Sequence, residues 1–272
     1  ILRFHTIYWP IMLMALGMPL PKQVFGHGWL LVDGGKLSKS KGNVVDPVVL
    51  INHFGEDPVR YYLLREIPFG SDGMFNNELF IKKINSDLAN DLGNLVSRTA
   101  AMIEKYFDGV MPAPTCKEDI DNDLIEKALN AHKRVEELMN KLRIPESLDE
   151  VWALIGRANK YIDETTPWIL AKDESKKERL GTVLYNLAEV LRIVSVLVSS
   201  FLPKTSENIN KQLNIDLISW DSIASFDGTK AGTKIVKGDA LFPRIDVEAK
   251  IEELNKLKED RKSTRLNSSH NS

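Results

Sequence analysis

The chain has 272 residues, 43% hydrophobic and 27% charged, with a formal net charge of −2. That is the balance of an ordinary globular protein of one large domain or two smaller ones, and it excludes a disordered or low-complexity chain. Without a basic excess any nucleic-acid surface must be local. The one cysteine, Cys116, excludes an internal disulfide framework or a cysteine-rich zinc site and fits a reducing cytosol.

The sequence opens inside an apolar pattern at Ile1 rather than on Met, which reads as the interior of a longer frame. Thr6–Leu16 is expected to be a helix with Pro10 in its first turns, ended by Pro19 and Pro21. Gln23–Val32, rich in Val, Phe, Trp and Leu and bounded by Gly34 and Gly35, reads as a buried strand. Asp33–Asn43 is a Gly, Lys and Ser loop. Two short helices follow, Pro47–Phe54 and Asp57–Glu66, with Asp46 and Asp57 each placed before a Pro to start one.

From Asn77 the periodicity turns helical. Glu78–Phe107 places Leu79, Ile84, Leu88, Leu92, Leu95, Ala100 and Ile103 close to one stripe. Ile120–Leu142, Leu148–Glu164 and Lys176–Leu202 are further helices, and their short connections imply an antiparallel bundle. Asp216–Pro243 reads as irregular and Val247–Arg261 as a final charged helix. The apolar runs Ile11–Leu16 and Val190–Leu202 fall short of the roughly 18–20 residues of a membrane span, so no membrane segment is expected. Lys262–Ser272 has no periodicity and is expected to be a non-native tail.

Three stretches carry chemistry. Lys36–Lys41 packs Lys36, Lys39 and Lys41 with Ser38 and Ser40 into six residues after a strand and beside glycines. Ammonium groups, hydroxyls and backbone N–H groups there can hold a polyphosphate, although a solvated basic loop has the same composition. In Phe4–Pro10 the pairs Phe4/Tyr8 and His5/Trp9 each stand at i,i+4 and share a helix face. Aromatic walls suit a thioether, and core aromatics would show the same spacing. Asn94 and Arg98 likewise share a face of the long helix, and Trp168 follows Pro167 at a helix junction. Trp168 there is either a core plug or a platform for an unpaired base, with Asn94 and Arg98 offering hydrogen bonds to base edges.

Taken in order, these stretches resemble the methionine–tRNA ligase family of class I aminoacyl-tRNA synthetases. Lys36-Leu37-Ser38-Lys39-Ser40 is similar to that class's second signature, Lys-Met-Ser-Lys-Ser, with Leu37 for Met. Phe4-His5 and Trp9-Pro10 resemble the methionine member's Phe-His-x-x-x-Trp-Pro. Asn94-Leu95-Val96-Ser97-Arg98 and Pro167-Trp168 resemble its anticodon-reading residues.

The resemblance implies an α/β remnant of a Rossmann-type catalytic domain followed by an all-α anticodon-binding bundle. The division implied is residues 1–76, 77–245, a terminal helix 246–261 and the tail 262–272. It implies Lys36 and Lys39 as catalytic cations, and Lys36, Ser38, Lys39 and Ser40 around ATP with its Mg. It further implies His5, Trp9 and Phe4 at methionine, and Asn94, Arg98 and Trp168 on the anticodon stem-loop of a CAU tRNA. No metal site within the chain and a cytoplasmic location are expected. Lys82, Lys83, Lys105 and Arg157 are candidates for phosphate contacts. Leu241–Ile245 resembles a family segment that packs the chain end back on the body.

The class's first signature, His-Ile-Gly-His, is absent, so the isolated chain is expected to bind tRNA without activating methionine. The alternatives are a ligase for another amino acid, a tRNA-binding module without catalysis, and a helical scaffold.

Overall fold

A computed structural model describes residues 1–32 and 46–257, with only the backbone of Gly35 and Lys36 between. The first helix is wound in π form over Phe4–Tyr8 and continues as α1 (Trp9–Ala15), two residues ahead of the expected start, and none of its residues is buried. It stops at Gly17, whose φ of 66° favours glycine.

The expected strand Gln23–Val32 is cut to β1 (Leu30–Val32). A strand needs partners, and β1 finds them over three residues only. It pairs antiparallel with β2 (Gly35–Lys36), Leu31 opposite Lys36, and parallel with β3 (Gly73–Phe75), Val32 opposite Phe75. Phe75 then turns edge-on to Tyr62, at 5.3 Å between ring centroids.

Helix α2 (Pro47–Phe54) starts as expected: Asp46 accepts the Val48 N–H at 3.0 Å and Pro47 follows it. Helix α3 (Glu56–Glu66) does not start on Asp57. Gly55, at φ 86°, precedes it. The Asp57 carboxylate is buried and accepts from Thr205 N and Oγ1, both at 2.6 Å, in the first turn of α10 (Pro203–Leu213). One turn on, Arg60 donates to the carbonyls of Ser200 and Phe201, each at 2.8 Å, just past the end of α9 (Lys177–Val198). A carboxylate at one helix's N-terminus and a guanidinium at another's C-terminus both match the dipoles they face, so α3 grips the α9–α10 corner from both sides.

The long helix is continuous from α4 (Asn77–Lys83) through a π-wound stretch, Ile84–Gly93, to α5 (Asn94–Phe107), with Asn76 capping its start. Most of the expected stripe is buried, but Leu79 is 57% exposed. Phe80 takes its place, meeting Phe54 edge-on at 5.0 Å. The five-residue step from Leu79 to Ile84 does not fit a stripe, whereas Phe80 lies four residues before Ile84.

Helices α6 (Asp119–Asn140), α7 (Ile144–Thr165), α8 (Pro167–Leu170), α9 and α10 complete the bundle. A reciprocal capping box between Glu118 and Asp121 opens α6. Helix α9 is the axis: every residue from Arg179 to Val198 is buried. With a mean hydropathy of 1.5 it is long and apolar enough to cross a membrane, yet that stretch is wholly buried among its neighbours. It ends at Val198 rather than Leu202, and the unforeseen α10 starts with Pro203 in its first turn.

Inside α9, Glu189 and Arg192 pair at 2.7 Å with both side chains fully buried. They also hold the irregular segment after α10. Glu189 accepts from Gly228 N and Thr229 N, while Arg192 donates to the carbonyls of Leu217, Ser222 and Ser225. Leu241 and Phe242 then pack on the core. Asn85 exchanges two hydrogen bonds with the Ile245 backbone, at 2.8 and 2.9 Å, which clips the chain without forming a strand. Residues 247–257 are helical.

Candidate nucleic-acid interface

Helix α7 ends at Thr166 in the left-handed region, φ 44°, and Pro167 restarts the chain as the single turn α8. The break turns Trp168 out of the core, 41% exposed, beside Ile169 at 51%. Trp168 is therefore not a fully buried core plug. Across from it on α5, the Arg98 guanidinium lies 6.0 Å from the Trp168 ring centroid, a cation–π separation. Arg98 also faces Asp163 of α7 at 3.5 Å, a partner that no spacing in the sequence indicated.

Asn94, one turn before Arg98, is exposed. Its backbone N–H bonds the carbonyls of Ala89 and Asp91 at the end of the π-wound stretch. Asn94, Arg98 and Trp168 thus lie along one open face, with an amide and a guanidinium next to a free aromatic surface. Such a face can stack one base and hydrogen-bond the edges of its neighbours.

The π-wound stretch before Asn94 carries a polar cluster. Asp87 accepts from Tyr61 Oη at 2.6 Å and from Ser86 Oγ at 2.7 Å, and it pairs with Lys83 at 3.2 Å and Arg65 at 3.6 Å. Burial first and Asp87 second push the Tyr61 phenol far above its ordinary range, so it stays a donor. Burial, then the charge of Asp87, also raises the Asp91 carboxyl. Lys83 additionally pairs with Glu66, and Arg157 with Asp123 and Glu164. These two cations therefore serve intramolecular pairs rather than an open phosphate track. Lys82 pairs with Glu78, and Lys105 lies over Tyr106.

At the other end of the chain, His5 and Trp9 stand side by side with ring centroids 6.4 Å apart, and Phe4 meets Tyr8 at 5.4 Å. Phe4 is 64% and Trp9 42% exposed. Lys36 is the last residue of β2, and its side chain, with Ser38, Lys39 and Ser40, lies outside the described residues. Among the described residues no three His, Cys, Asp or Glu side chains gather to hold a metal ion.

Two family models cover almost the whole chain. One, for class I tRNA synthetases of the M group, matches residues 1–100; the other, for the anticodon binding domain of methionyl tRNA ligase, matches residues 111–262. The chain belongs to the methionine–tRNA ligase family. It is 82% identical over 259 residues to the methionine–tRNA ligase of Clostridium tetani, covering 95% of this chain and 40% of that protein. To the ligase of Bacillus subtilis it is 56% identical over 255 residues, covering 92% and 38%.

Among solved structures, Mycobacterium tuberculosis methionyl-tRNA synthetase in complex with methionyl-adenylate superposes with a TM-score of 0.85 at 38% identity. The match covers 89% of this chain and 48% of that one. The chain thus combines class I catalytic-type residues with a methionyl-type anticodon-binding domain, and it spans about 40% of the length of the curated relatives it matches.

Proposed function

We propose that this chain supplies the anticodon-reading and ATP-loop parts of an enzyme that activates methionine with Mg-bound ATP in the cytoplasm and esterifies it to tRNA bearing CAU. The observation that carries the reading is the Arg98–Trp168 contact on an open face with Asn94 one turn away. Trp168 stacks on an anticodon base, and Asn94 and Arg98 bond base edges. His5 and Trp9, with Phe4, border the methionine side chain. Lys36 and Lys39 stabilise charge moving onto pyrophosphate, with Ser38 and Ser40 as further phosphate donors. The division falls at residue 76, with the bundle over 77–245.

The isolated chain binds tRNA but does not activate methionine; methionine-dependent ATP–pyrophosphate exchange by it would refute that. The deciding test is binding to a labelled CAU anticodon stem-loop against one with a changed anticodon, at one fixed salt concentration. A preference for CAU is expected, reduced in Trp168→Ala by the roughly 1–3 kcal/mol of a base–aromatic stack. Equal binding to both loops would leave only a generic RNA surface.

A further inference from the structure

Helix α7 does more than carry the chain to Trp168. Two of its side chains reach across to backbone carbonyls of the π-wound stretch: Trp152 Nε1 donates to Asp87 O at 3.2 Å, and Asn159 Nδ2 donates to Asp91 O at 3.3 Å. Asn159 is half-buried, and its Oδ1 is buried with no hydrogen-bond partner. Turning the amide over would place Oδ1 against the Asp91 carbonyl, acceptor to acceptor, so the orientation with Nδ2 on the carbonyl is the one this contact demands. An unsatisfied acceptor is tolerated here to keep one donor aimed at one carbonyl.

That carbonyl lies where the winding changes. The i→i+5 pattern of a π stretch gives way to α winding at Asn94, and the Asp91 carbonyl accepts both the Asn94 N–H and the Asn159 amide. Each residue gained or lost in a π stretch turns everything beyond it about the helix axis by roughly a quarter turn or more. The point at which the winding reverts therefore decides which way Asn94 and Arg98 point. We infer that Asn159 is a positioning residue for anticodon discrimination: by holding Asp91 O it fixes the register that aims Asn94 and Arg98 along the face of Trp168. The inference rests on the anticodon reading proposed above. Asn159 itself, with its free oxygen buried, does not contact the base.

The test uses the whole chain and the same pair of stem-loops, CAU and a changed anticodon. Asn159→Asp keeps shape but loses the donor; Asn159→Ala removes the amide. The readout is the ratio of the two affinities on one sample, in which any change in folded fraction cancels. Both variants are expected to lower the CAU preference about tenfold, as for one base-edge contact, with weak salt-sensitive binding to both loops kept. In an Asn94→Ala background the same substitutions should lower it little further, because coupled residues are not additive. An unchanged ratio in Asn159→Asp, or full additivity with Asn94→Ala, would overturn the assignment while leaving the anticodon reading intact. Absence of CAU preference in the unsubstituted chain would overturn both.

Discussion

Two helices of this chain are rich in apolar residues and meet opposite fates. Helix α9 is buried all round from Arg179 to Val198. Helix α1 and the π turn before it bury nothing, and Phe4, Ile7, Ile11, Met12 and Met14 all stand between 49% and 65% exposed. Composition does not separate them. What separates them is neighbours: α9 is packed against α5, α6, α7, α8 and α10, and it carries Glu189 and Arg192 through the core, each held by the loop that wraps them. Helix α1 buries none of its own residues among those described.

The sharpest way to break this comparison is at the ion pair. Arg192→Leu leaves Glu189 buried without its counter-charge, and removal of one partner of a buried pair costs about 3–5 kcal/mol. Urea unfolding should show the loss as a lower midpoint. Gly228 tests the same lock from the loop side, because a Cβ there would collide with the Arg192 guanidinium. Gly228→Ala should destabilise in the same direction, and an unchanged midpoint in both variants would mean that α9 is held by apolar packing alone.

The long helix gives a paired test of similar size. Phe80→Ala should cost about 3–5 kcal/mol, because Phe80 is fully buried. Leu79→Ala should stay within about 0.5 kcal/mol, as for other surface changes. This pair also marks how far the fold was legible. The period of the stripe located the helix and most of its core, but the first turn is phased by the Asn76 cap and by what lies under α2, and neither is periodic. The sheet was illegible for a related reason: three-residue strands such as Gly73–Phe75 are too short to show alternation.

Asp57 misled because an Asp before a Pro reads as a local cap, while its carboxylate caps a helix 148 residues away. The structure sets Arg98 against Trp168 with Asn94 exposed one turn away, whereas Asp163 and Asn159 enter through tertiary contacts with no spacing to announce them. The lysine–serine loop carried the most chemistry in the sequence, but its geometry lies outside the described residues.

A third, smaller effect lies at the start of α6. Burial pushes the Asp121 carboxyl up, but hydrogen bonds from Arg179, the Glu118 backbone and Tyr161 outweigh it and hold it below its ordinary value. A depressed carboxyl contributes stability that is complete above its unfolded value, about 3.9, and is lost as pH falls through the lower folded value. Asp121→Asn should therefore destabilise the chain near neutral pH by about 1–3 kcal/mol. The slope of stability against pH should flatten below about pH 4. A variant that keeps the parent's acid slope would place the acid-sensitive carboxylate elsewhere.

The smallest effect belongs to the bare helix, and it is the one that defines the comparison. Replacing Ile11, Met12 and Met14 together by Ser removes apolar surface that touches no core, so the urea midpoint should move by no more than about 0.5 kcal/mol per site. What should change is self-association: these side chains face water in the isolated chain, and the triple variant is expected to stay monomeric at concentrations where the parent forms larger species by light scattering. A large loss of stability in the triple variant would instead show that α1 folds back on the body in solution, and its aromatic face would then be core rather than exposed.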